Sequence, residues 1–200
     1  MQRLATVLRD DGYEVITARQ PGGTPIAEQI RGIVLNSRTR GLAPLTELAL
    51  MFAARAQLIK EVIKPAVAEG KIILVDRYTD SSEAYQGGGR GLGSETVLAV
   101  HQAICEGLNP DITVLMDSDP AASVARARRR NVKATAEGGD EVDENRFEME
   151  NREFFDRVHQ TYLKIAARDS ERVYMVDARR EPDIVHREIV NELRRRIGNL

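Results

Sequence analysis

The stretch Asp76-Arg77-Tyr78-Thr79-Asp80-Ser81-Ser82-Glu83-Ala84-Tyr85-Gln86-Gly87-Gly88-Gly89-Arg90-Gly91 gathers the side chains best suited to chemistry. It follows the run Lys71-Ile72-Ile73-Leu74-Val75, which is short and β-branched and reads as a buried strand. A carboxylate and a guanidinium delivered at the carboxyl end of such a strand stand where parallel α/β sheets bind ligands. The Asp76 carboxylate suits a hydrated Mg²⁺, and the Arg77 fork suits a phosphate held by two parallel N–H bonds. An aromatic, two hydroxyls, an amide and a glycine run follow in what reads as a turn-rich, flexible segment. Together these are parts for holding a nucleotide.

Other charged side chains have two readings each. Arg19 precedes the loop Pro21-Gly22-Gly23-Thr24, and with Arg31, one helix later, it could face an anion at the same strand end; Arg31 reads equally well as a solvated helix position. Arg55 sits in the largely apolar Leu50-Met51-Phe52-Ala53-Ala54-Arg55-Ala56-Gln57, where a charge is costly unless paired or aimed at a ligand. Met51 and Phe52 beside it read as core. The cluster Arg126, Arg128, Arg129 and Arg130 is either a solvated basic helix end or a phosphate clamp on a mobile lid, with the acidic run 137–144 neutralising it. His101, His159 and His186 show no partner spacing, and Ser81 and Ser82 have no histidine at a hydrolase spacing.

The elements that must position these groups follow from periodicity. Residues 2–11 read as an amphipathic helix stopped by Gly12, with Leu4, Val7 and Leu8 on one face. Residues 13–18 read as a strand, and Thr24 caps a helix carrying Ile26, Ile30, Ile33 and Val34. A long helix runs over 45–69, kinked or divided at Pro65. Strand 71–75, helix 94–107, strand 112–117 and a helix from Pro120 come next. Helix resumes near Asn145 to about residue 168, then a strand at 173–176 and a helix from Pro182 close the chain. Strands alternating with helices imply an α/β fold, one parallel sheet covered on both faces.

At 200 residues the chain fits one domain, 1–200, with the mobile lid at about 126–146. Its 29 basic and 31 acidic residues give a net charge of −2, which argues against nucleic acid or a charged membrane as partner. A single cysteine, Cys105, excludes an internal disulfide and suits a reducing cytoplasm.

Taken in order, these motifs resemble the thymidylate kinases. The likeness runs through Ala18-Arg19-Gln20-Pro21-Gly22-Gly23-Thr24, Thr46-Glu47-Leu48, Phe52-Ala53-Ala54-Arg55, Asp76 through Gly91, Pro110-Asp111-Ile112-Thr113, Asn145-Arg146-Phe147-Glu148 and Phe154-Phe155-Asp156-Arg157-Val158. The resemblance implies transfer of the γ-phosphoryl of ATP to dTMP with Mg²⁺, in a homodimer of the three-layer nucleoside monophosphate kinase type. It implies that Arg77 binds the dTMP phosphate with Asp76 beside it on the Mg²⁺ or phosphate side, that Arg55 bonds thymine, and that Ser82 lies at the base edge. Tyr85 is implied to pack on the deoxyribose and reject a 2′-hydroxyl. Gln86 and Arg31 are implied to complete the monophosphate pocket with Arg19 and Gln20 nearby, and Arg126, Arg128, Arg129 and Arg130 to cover ATP.

The family pattern has glutamate where Gln20 stands, and a thymine-stacking phenylalanine where Met51 stands, with Phe52 one position late. The family also opens with a strand and a GxxxxGK[ST] phosphate loop, which the first residues here do not match. The expectation is a start placed too late, with roughly 15–20 residues of strand, loop and helix start preceding Met1. The first, central strand and phosphate loop are then absent from the chain as given. The alternative is a non-catalytic nucleotide- or partner-binding remnant.

Overall fold

The structure is a computed structural model and describes residues 1–126 and 144–198. Helix α1 (Gln2–Asp10) buries Ala5 and Leu8 and stops before Gly12, whose φ of 95° suits glycine. Strand β1 (Val15–Arg19) leads through the Pro21–Gly23 loop to α2 (Pro25–Leu35). Thr24 caps α2 by accepting the Ala27 N–H at 3.2 Å, and Pro25 presets the first helical φ. The expected apolar face of α2 is rotated. Ala27 and Val34 are buried, while Ile26 and Ile33 are exposed.

The long α-helix is interrupted just before Pro65. Helix α3 (Pro44–Leu58) passes through a π-helical turn, Ile59–Ile63, into α4 (Lys64–Ala68). The Lys64 N–H reaches Ile59 O, five residues back, and this wider turn relieves the crowding that proline imposes on the preceding carbonyls.

Strand β2 (Ile72–Asp76) pairs parallel with β1, in register from Val15 with Ile72 to Arg19 with Asp76. The segment after it is helical, not turn-rich. Helix α5 (Thr79–Ser82) continues as a π-helix, Glu83–Gly89. Its glycines serve close packing and not flexibility. A Cβ at Gly88 would lie 2.0 Å from Thr161 Oγ1, and one at Gly89 2.5 Å from the Phe154 ring.

Helix α6 (Ser94–Cys105) ends at Glu106 in the left-handed region. Strand β3 (Thr113–Asp117) and the helical stretch α7, described over 120–126, follow. Helix α8 (Arg152–Arg168) starts seven residues later than the sequence suggests, because Asn151 accepts the Phe154 N–H at 2.9 Å and sets the cap there. Strand β4 (Val173–Asp177) and α9 (Pro182–Ile197) complete the described chain.

The expected single sheet is observed as two parallel pairs, β1–β2 and β3–β4, because among the described residues β2 and β3 form no ladder. A shared helical layer joins them. Leu4 of α1 and Ile197 of α9 pack both against Val15, Ile72 and Leu74 and against Ile112, Val114 and Val176. On the other face of β1–β2, Ile73 and Val75 pack with Phe52 and Leu58. Each pair brings an aspartate to its carboxyl end, Asp76 and Asp117. The mobile lid expected at about 126–146 falls mostly outside the described residues.

Candidate functional site

Arg77, immediately after β2, has φ 68° although it is not glycine. An L-residue in the left-handed region costs about 1–2 kcal/mol, a strain of the kind that gathers at functional sites. The guanidinium lies 5.2 Å from the Tyr85 ring centroid. Tyr85 is in turn held edge-on by Phe147 at 5.3 Å and Phe154 at 6.0 Å.

Arg55 is fully buried on α3. Its Nη2 donates to Gln20 Oε1 at 2.7 Å and Ser82 Oγ at 2.8 Å, and the guanidinium lies 4.3 Å over the Phe52 ring and 5.1 Å from the Tyr78 ring. Nε and Nη1 are buried without partners. Burial pushes Arg55 down to about 10, so it remains a cation at neutral pH. Among the described residues no carboxylate pairs with it. Asp80, whose charge favours it from a distance, is held by Arg172 at 2.8 and 2.9 Å. A guanidinium with two unsatisfied nitrogens, carrying three N–H donors, is suited to a carbonyl-bearing ligand.

Gln20 spans this pocket, accepting from Arg55 and donating through Nε2 to Met51 O at 3.2 Å. Met51 and Phe52 face different clusters. Met51 packs with Val34, Ala84, Phe147 and Phe154, with Tyr85 at the margin; Phe52 packs behind β2 with Leu48, Leu58 and Val97. The Met51 cluster therefore contains the Tyr85 side of the site, and Phe52 backs the Arg55 guanidinium.

The remaining expected residues are distributed as follows. Arg19 grips Glu28 through Nε and Nη2, and Glu28 also accepts the Gly23 N–H at 2.8 Å. Arg31 donates to Glu144 and to Pro21 O, so it stands at the loop after β1, tied to the chain just beyond residue 143. Arg126 is exposed and donates to Ser123 Oγ at 2.9 Å. Arg128, Arg129 and Arg130 lie outside the described residues. Asp76 is exposed beside Arg77 at the strand end. Among the described residues no group of three or more His, Cys, Asp or Glu side chains could hold a metal. Asp76 nonetheless fits Mg²⁺, which takes one or two carboxylates and fills its sphere with water and substrate phosphates.

Glu47 was legible in the sequence only as part of a motif. Its carboxylate is fully buried and accepts from Gln86 Nε2 at 2.8 Å, Arg90 Nε at 3.1–3.2 Å and Arg146 Nη2 at 2.7 Å. The available signal was the one that marks Arg55, a charge set in an apolar helix. Phe147 and Phe154, which hold Tyr85, were likewise legible only as parts of motifs, and Tyr162, whose hydroxyl lies 2.9 Å from Ser81 Oγ, carried no signal beyond ordinary core pattern.

A family model described as thymidylate kinase matches residues 1–189. The chain is 42% identical over 195 residues to a thymidylate kinase of Desulforapulum autotrophicum, covering 98% of this chain and 84% of that protein. It is 45% identical over 175 residues to one from Pseudomonas syringae pv. tomato, covering 88% and 78%. The crystal structure of a thymidylate kinase from Ehrlichia chaffeensis superimposes with a TM-score of 0.70 at 25% identity, over 96% of this chain and 86% of that one.

Proposed function

The chain belongs to the thymidylate kinase family, and from that membership we propose that it transfers the γ-phosphoryl group of ATP to dTMP, yielding dTDP for dTTP synthesis and releasing ADP. The observation that carries the acceptor assignment is Arg55, a buried cation with two unpartnered nitrogens 4.3 Å above an aromatic ring. A thymine carbonyl accepts from one of those nitrogens. The charge-assisted bond exceeds what a neutral donor supplies.

Around that base, Ser82 lies at the pyrimidine edge, Met51 packs on the Tyr85 side, and Tyr85 closes on the deoxyribose where a 2′-hydroxyl would collide. Arg77 takes the acceptor phosphate, with Arg19, Arg31 and Gln86 lining the same end and Gln20 fixing Arg55. Asp76 would hold Mg²⁺ through water, and the ion would supply charge neutralisation at the phosphates. Arg126, with Arg128, Arg129 and Arg130, belongs to the donor side and a lid over ATP at about 126–146. Catalysis of this kind is chiefly positioning and electrostatic stabilisation, which suits a site built from arginines.

The proposal includes a single kinase domain over residues 1–200 with the three-layer architecture of nucleoside monophosphate kinases, to which β1–β2 and β3–β4 contribute parallel pairs. It also includes a cytoplasmic homodimer, for which exposed Ile26 and Ile33 of α2 offer apolar surface. No helix among the described residues is long and apolar enough to cross a membrane.

The test is transfer of labelled γ-phosphate from Mg-ATP to dTMP, with dUMP and dCMP in parallel. Formation of dTDP in clear preference to dUDP and dCDP supports the reading. A protein that phosphorylates dCMP or dUMP better than dTMP overturns it.

A further inference from the structure

We propose that Glu47 is a positioning residue of the acceptor site, acting by fixing which end of the Gln86 amide is presented to the nucleotide. The inference rests on the reading of this site as the dTMP pocket. Glu47 is fully buried, and its carboxylate collects donors from Gln86 and Arg90, neighbours at the end of the π-helical segment, and from the distant Arg146. An ionised carboxylate accepts only, so Gln86 must turn its NH₂ towards it. Reversing the amide would set two oxygens against each other at a 2.8 Å contact.

The consequence is an oriented acceptor. Gln86 Oε1 is left buried with no partner. A buried carbonyl in that condition is costly unless a ligand donor reaches it. dTMP carries two donors of that kind, the base N–H and the 3′-hydroxyl. Glu47 therefore need not touch the nucleotide to govern its affinity.

Glu47 can be altered without orphaning its cationic neighbours. Arg90 keeps Glu150 at 2.6 Å, and Arg146 keeps the Val34 carbonyl. The experiment measures dTMP affinity by calorimetry for the wild type, Glu47→Gln, Gln86→Met and the double variant, with the melting temperature of each. Gln86→Met and Glu47→Gln are each expected to weaken dTMP binding about tenfold, the loss of one well-made hydrogen bond. The double variant should bind as Gln86→Met does, because Glu47 acts through that amide. Losses that multiply in the double variant overturn the inference and leave Glu47 a purely structural group. Gln86→Met leaves the Glu47 ion pairs intact, so it remains informative should Glu47→Gln not fold. Unchanged affinity in Gln86→Met also overturns the inference, provided the wild type binds dTMP. A wild type that binds no dTMP overturns the acceptor-site reading itself.

Discussion

Arg55 Nη2 donates to Gln20 Oε1 at 2.7 Å, so a fully buried cation is held by a neutral amide in place of a carboxylate. The desolvation cost of the guanidinium is not offset by an opposite charge in contact, and burial accordingly lowers its pKa. Such a group contributes little to the stability of the empty protein and much to ligand binding.

Arg55→Met separates these two effects. Unfolding free energy should change by no more than about 1 kcal/mol, because an uncompensated buried charge is exchanged for a packed apolar chain. dTMP affinity should fall about 100-fold with the loss of a charge-assisted bond. Denaturant melts beside calorimetric titrations check both. A large stability loss with unchanged affinity would make Arg55 structural.

Arg77 predicts a difference between two small residues. Arg77→Ala should lower kcat/KM for dTMP by about 100–1000-fold, as removal of a phosphate-binding charge does. Arg77→Gly should be as inactive, yet about 1 kcal/mol more stable than Arg77→Ala, because only glycine accepts φ 68° without strain. Equal stabilities would show that the left-handed turn is not maintained in the alanine variant.

Tyr85 is braced by Phe147 and Phe154, so the sugar selection proposed for Tyr85 would depend on their packing as well. Tyr85→Ala should raise the kcat/KM of ribothymidine monophosphate relative to dTMP by about 10–100-fold, the range open to a steric pocket. Phe147→Ala should shift the same ratio in the same direction by a smaller factor. A ratio unmoved in both variants would remove the sugar from the Tyr85 assignment.

His101 gives a pH dependence. It is buried, its Nδ1 lies 3.0 Å from Thr79 Oγ1, and Nε2 has no partner. Burial, then the Arg55 charge, lowers its pKa from the usual 6.5, with Arg172 acting the same way and Asp80 and the Gly107 backbone opposing. The unfolded chain therefore binds a proton that the folded one resists, and the stability this contributes is present above about pH 6.5 and lost as pH falls through and below it. Between about pH 7 and pH 5.5, His101→Gln should show a flatter fall in melting temperature than the wild type. His186, shifted in the same direction, contributes equally to both proteins. Parallel curves would exclude the His101 contribution.

Arg55 stood out in the sequence as a charge in an apolar helix and Arg77 as part of a polar cluster at a strand end, whereas the roles expected for Ser82 and Tyr85 came from the family resemblance. Glu47 escaped notice as a site residue because an acid in the first turn of a helix has an ordinary reading, complementing the helix dipole. Its arginine partners stand 43 and 99 residues away, beyond any periodicity. The glycine run read as flexible because glycine is a poor helix former. Contact with Thr161 and Phe154 of α8 overrides that preference, and such a contact cannot be seen from local sequence.

The ion pairs around the site also bear on the order in which the protein folds. Glu47–Arg146 and Arg31–Glu144 join positions 99 and 113 residues apart. Contacts of that span form only after long loops have closed, so the acceptor side of the molecule is assembled late. Binding of dTMP would then report completion of the whole chain and not of an early helical subdomain. A ligand that recognises only this final state stabilises it in proportion to the logarithm of its concentration.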